Sequence, residues 1–207
     1  MPCVTLIGDN RRLVMGAHAA SAAFRSAAPR ARGDPGRRSN ISERIPDACF
    51  YHLVGHSVGG VVAALFACRY GARVRSLVSV EGNFSLKDAF WSARVAAMAP
   101  AEVAALLAGY RRDPAGWLAG AGVVPTPETL RLAECWLAQQ PASTVQAMAQ
   151  AVVAETAPAA YRDRLRELFV RLPVHLLAGE HSRGGWDVPQ WARRAAASQA
   201  LIREPGT

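Results

Sequence analysis

Lysine is almost missing from this chain: Lys87 is the only one, and the formal net charge of +8 rests on arginine. The arginines are spread beside alanine, glycine and proline, and none form a helical stripe with interleaved aromatics, so a nucleic-acid surface is not expected. Long apolar runs are missing too. Nothing approaches the roughly 18 to 20 residues that a membrane helix needs, and residues 1–10 lack the basic start and cleavage site of a signal peptide. The expectation is a cytoplasmic protein with no membrane contact. Cysteine is sparse: Cys3, Cys49, Cys68 and Cys135 show no C-x-x-C or C-x-x-H spacing, which points away from zinc and redox chemistry. They are expected to be buried free thiols, with no metal and no cofactor.

What is present suits a single globular core with a modest insertion: 207 residues, 51% hydrophobic and 19% charged. The densest basic stretch, residues 27–40, is rich in proline and glycine and reads as loop. Residues 13–15 form a short apolar run after the turn signal GDN, and residues 48–54 form another closed by Gly55. Both fit strands of a buried sheet. From Val58 to Tyr70 the residues Val61, Val62, Leu65, Phe66 and Tyr70 recur at helical spacing, and Gly71 follows as a stop. Residues 75–80 return to strand, giving a strand-helix-strand unit of the parallel kind.

Residues 86–168 are alanine-rich helical segments broken at Pro100, Pro114, Pro125, Pro127, Pro141 and Pro158, without a strand candidate. Residues 172–178 restore a buried strand, and a helix over 189–197 is expected to open with Asp187 as N-cap. The pattern predicts an α/β fold, with a mostly parallel sheet interrupted by an all-helical insertion.

The stretch YHLVGHSVGGVVAAL contains Gly55-His56-Ser57-Val58-Gly59, a G-x-S-x-G match on a strand-to-helix turn. Such a turn strains its central residue and needs small neighbours, which Gly55 and Gly59 supply, while Gly60 lets the helix begin close to the sheet. The amides after Ser57, beginning with Val58 N–H, lie where an oxyanion would form. The competing reading is a glycine-rich turn whose serine merely caps the helix.

These residues, with RVRSLVSVEGNF and RLPVHLLAGEHSRGGWDVP, resemble the α/β-hydrolase fold superfamily of the type with a helical cap. The resemblance implies a hydrolase core over residues 1–83 and 169–207 and a cap over 84–168. It implies Ser57 as nucleophile, with oxyanion donors from the backbone of Val58 and of Gly16 or Ala17. Upstream, Val14-Met15-Gly16-Ala17 is similar to the family's early His-Gly loop with methionine in the histidine's place. Asp34-Pro35-Gly36 is similar to the loop that precedes the elbow strand. The strand between them is not visible, so the sheet is expected to be shortened at its amino-terminal side.

A serine hydroxyl needs a base, and the base needs an acid. After the strand at 172–178 the position implied for the acid holds Ser182, whereas Glu81 stands at the end of the strand at 75–80 and resembles the acid of part of the superfamily. Glu81 is the candidate acid; the competing reading is a loop carboxylate held by amides or an arginine. For Asp187, capping is sufficient explanation. The implied base lies after the last strand, and no histidine follows His181; the segment carrying the usual catalytic histidine is expected to be lacking. His181 is the candidate base by its loop; His56 should point away from Ser57, and His52 and His175 fall inside strands.

In the helical segment Phe90, Trp91, Met98, Leu106, Trp117, Trp136 and Met148 could line a pocket, although helical spacing makes them core first. Two functions follow: a cofactor-free serine hydrolase of a small apolar ester or related bond, or an impaired or truncated relative that binds a ligand or partner.

Overall fold

The computed structural model describes the backbone of residues 3–8 and 11–15, and all of residues 50–203. Strands β1 (Cys3–Gly8) and β2 (Arg11–Met15) pair antiparallel, and β1 also pairs antiparallel with β3 (Tyr51–His56). Helix α1 (Val58–Tyr70) crosses to β4 (Val74–Val80). Six helices follow: α2 (Phe90–Ala97), α3 (Pro100–Arg112), α4 (Pro114–Gly120), α5 (Pro127–Ala138), α6 (Ala142–Thr156) and α7 (Ala159–Arg171). The chain then returns to β5 (Val174–Gly179), α8 (Gln190–Ala195) and β6 (Ser198–Ile202).

The sheet order is β2-β1-β3-β4-β5-β6, with β3 to β6 mutually parallel. The fold is therefore α/β, as expected, and the segment between β4 and β5 is helical without a strand. β1 is an addition to the sequence reading, which placed a strand only after the GDN turn.

Burial explains why these elements form. α1 is apolar on every side, and every residue from Gly59 to Ala67 is buried, as a helix enclosed between sheet and further helices must be. Leu53, Leu77, Val174 and Leu176 meet it from the strands, and Tyr161, Leu165, Leu168 and Phe169 of α7 complete the same cluster. A second cluster joins Val95 of α2, Val103 and Leu107 of α3, and Val145 and Ala149 of α6. α6 belongs to both, because Met148 and Val152 pack on the sheet cluster. The apolar grouping thus divides inside the helical segment, with α7 packed as part of the sheet's core.

Two local expectations differ. α8 takes Pro189 as its N-cap. The Asp187 carboxylate instead accepts from the Ser85 hydroxyl at 3.0 Å and lies 3.6 Å from Lys87 Nζ. Its reach across two loops wins over local capping because proline already presets the backbone entering α8. Cys135 is exposed on α5, and Cys68 is half-buried on α1; both thiols are free. Among the helical residues considered for a pocket, Met148 is core, Met98 and Leu106 pack on the second cluster, and Trp117 packs against Tyr110 with ring centroids 6.0 Å apart. Phe90 is 75% exposed.

Candidate active site

The carboxyl ends of β3, β4 and β5 meet at one edge of the sheet. Ser57, between β3 and α1, has φ 51° and ψ −122°. Among the described residues only Ser57 and Glu81 are non-glycine residues with positive φ, a conformation that costs on the order of 1–3 kcal/mol per residue and persists only where surroundings enforce it. At Ser57 the enforcement is visible: its N–H donates to Val80 O at 2.9 Å, and its carbonyl accepts from Gly60 N–H at 2.8 Å.

The glycines make this turn possible. A Cβ on Gly55 would run into the Gly59 carbonyl, and one on Gly60 would sit 2.6 Å from Gly82 Cα. Although Ser57 is the N-cap residue of α1, its side chain makes no capping bond. The hydroxyl is not used as a cap, and the Val58 N–H is the first amide of the helix, ahead of any i−4 carbonyl within it.

Glu81, directly after β4, is tied to β5 at both ends. Its N–H donates to Leu177 O at 3.0 Å. Its Oε1 accepts from Gly179 N–H at 2.7 Å and from the Ser182 hydroxyl. Ser57, Glu81 and Ser182 line one open cleft of about 290 Å³ together with His56, Asn83, Asp88, Phe90, Gly185 and Trp186.

Two loops build the cleft wall, residues 81–88 after β4 and residues 179–188 after β5. Trp186 Nε1–H donates to Gly82 O at 2.8 Å. Asp88 accepts from Phe84 N–H at 2.9 Å with one oxygen and from Asp187 N–H at 2.7 Å with the other. Tyr161, fully enclosed, donates its hydroxyl to Asn83 O at 2.9 Å, and burial pushes its phenol far above the ordinary value.

The cleft joins Ser57 and Glu81 of the sequence candidates, and His181 is not among its lining residues. His181 is exposed in the loop after β5, next to Ser182. His56 is also among the lining residues; partial desolvation lowers its pKa from the ordinary histidine value, and Glu81 opposes that shift. His52 and His175 share hydrogen bonds with the hydroxyls of Ser76 at 2.7 Å and Ser198 at 2.8 Å. Gly16 and Ala17, the other oxyanion candidates, lie outside the described residues, as does the loop at 27–40.

Sequence reasoning did not assign Ser182, Asp88 or Trp186 to the site. Ser182 did stand where the resemblance implied a carboxylate, and that position was the available signal. Among the described residues no group of three or more His, Cys, Asp or Glu side chains could hold a metal, and no helix is long and apolar enough to cross a membrane.

A mostly parallel sheet with β3 leading through a strained serine into α1 defines an α/β architecture. A family model described as alpha/beta hydrolase family matches residues 10–207, and the chain belongs to that family. No curated protein matches it. A carboxylesterase structure from the ammonia-oxidizing thaumarchaeon Nitrososphaera gargenis is similar at 19% identity and TM-score 0.47, over 74% of this chain and 56% of that one. A hydrolase from Pseudomonas aeruginosa PA01 is similar at 19% identity and TM-score 0.44, over 73% and 55%. The proline iminopeptidase of Mycobacterium smegmatis is similar at 23% identity and TM-score 0.39, over 76% and 58%. The chain spans little more than half the length of each.

Proposed function

We propose that this protein is a cofactor-free serine hydrolase acting on a small apolar ester or related bond. The observation that carries the reading is Ser57: a strained, uncapped serine at the head of α1, on the same cleft as Glu81. In this reading a histidine takes the Ser57 Oγ proton as Oγ attacks the acyl carbon, and the oxyanion accepts from Val58 N–H. The protonated histidine then gives its proton to the departing alcohol, leaving an acyl-serine that water hydrolyses with the same base. Glu81 holds the histidine's tautomer and balances its charge. Within residues 84–168 the helices ahead of α7 act as the cap, since α7 packs with the sheet, and exposed Phe90 offers an apolar wall for the acyl or alcohol part.

The base is His181 by its place in the loop after β5, beside the residue that bonds Glu81. His56 is the rival, since it shares the cleft with both Ser57 and Glu81. A second reading, a member of the family that binds a ligand without turnover, draws on the engagement of His52 and His175 with serine hydroxyls, which leaves few histidines for general-base work.

The test is hydrolysis of a short-chain nitrophenyl ester beside Ser57→Ala, His181→Ala and His56→Ala, with covalent labelling by a fluorophosphonate. The hydrolase reading expects labelling that vanishes in Ser57→Ala and turnover reduced at least about a thousandfold in Ser57→Ala and in the variant lacking the true base. A folded protein that neither labels nor turns over ester favours the binding reading.

A further inference from the structure

Glu81 carries its carboxylate on a backbone at φ 49°, and both hydrogen bonds to that carboxylate end on the same oxygen, Oε1. One donor is a main-chain amide fixed at the end of β5; the other is the hydroxyl of Ser182, a side chain 101 residues away. The hydroxyl has a second acceptor near it, the Gly179 carbonyl at 3.4 Å. A charged acceptor at shorter range takes the proton, because hydrogen bonds to an ionised group are roughly twice as strong as neutral ones.

The loop is shaped for this contact. Ser182 O accepts from Gly185 N–H at 3.0 Å in a short 3₁₀ turn, and Glu180 N–H is fixed to Ile202 O at 2.9 Å on β6. A Cβ at Gly179 would stand 3.0 Å from Ser182 Oγ, a tight approach, and 3.5 Å from Glu81 Oε1, an ordinary contact. Glycine at the strand end therefore leaves room for hydroxyl and carboxylate to meet.

We propose that Ser182 is a positioning residue: with Gly179 N–H it pins Oε1 of Glu81, so that Oε2 is the oxygen presented to the imidazole of the general base. The proposal rests on the hydrolase reading for its kinetic consequence, while the pinning itself is a matter of geometry. A single amide holds Oε1 from one direction only; a second donor on the same oxygen narrows the rotation of the carboxylate about its last bond.

The experiment compares the wild type with Ser182→Ala, Ser182→Thr and Gly179→Ala, by crystal structure and by ester kinetics. Ser182→Ala is expected to let the Glu81 carboxylate swing about its remaining bond from Gly179 N–H and to lower kcat about tenfold with KM unchanged, the loss of one charge-assisted bond. Ser182→Thr keeps the hydroxyl and should restore both. Gly179→Ala should press the hydroxyl slightly off its place and lower kcat less than Ser182→Ala does. A carboxylate that keeps its place in Ser182→Ala overturns the proposal, and so does a displaced carboxylate with unchanged kcat. If the wild type itself hydrolyses no ester, the hydrolase reading falls, and the crystal structures still decide whether Ser182 pins Glu81.

Discussion

Gly60 and Gly109 are both helical glycines, and they should answer substitution with opposite signs. A Cβ on Gly60 meets the Gly82 backbone, which cannot rotate aside, whereas one on Gly109 meets nothing within 4 Å. Gly60→Ala is expected to destabilise by about 1–3 kcal/mol through overpacking. Gly109→Ala should stabilise by about 0.5–1 kcal/mol, because alanine loses less backbone entropy on entering α3. Urea denaturation of the two variants measures both. At this scale the turns that carry Ser57 and Glu81 were legible in the sequence because each follows an apolar run, where a strand must hand over to a turn, while the role proposed for Glu81 came from the family resemblance. The bond between Glu81 and Ser182 was not legible: it joins residues on different strands, and no local pattern records which side chain will face a carboxylate.

Elements show the same division. In the unit β3-α1-β4 the helix could be read to the residue and β4 to within one, since apolar period and glycine punctuation act over a few positions, while β3 runs two residues past the expected stop, through Gly55 to His56. β1 was missed because a hairpin is a property of pairing, and the turn GDN announces a strand on either side. Asp187 was read as a cap because capping is local chemistry; its partners Ser85 and Lys87 belong to the loop after β4. That lacing gives a prediction for Asp88, which accepts one amide from each loop. Asp88→Ala leaves both N–H groups without their acceptor and should cost about 1–3 kcal/mol. Limited proteolysis should then cut first within residues 81–88 or 179–188; a cleavage pattern and stability equal to wild type would remove Asp88 from its role as a strut.

Over the whole molecule, two apolar clusters share helix α6. Leu107, 3% exposed, belongs to the smaller one. Leu107→Ala should cost about 2–5 kcal/mol of local packing and speed amide exchange in α2, α3 and the first turns of α6, with β3 to β5 still protected. Equal loss of protection in the strands would mean that the molecule opens as one unit. Sequence patterning found the helical segment but not this partition, which depends on which faces of α6 and α7 turn toward the sheet. The single lysine also has a place in this arrangement. Lys87 lies in the loop after β4, its side chain 74% exposed and its ammonium 3.6 Å from Asp187. Amine-directed reagents can therefore address one side chain in the entire chain. A fluorophore attached there reports from the seam between the two loops, at the rim of the cleft that holds Ser57.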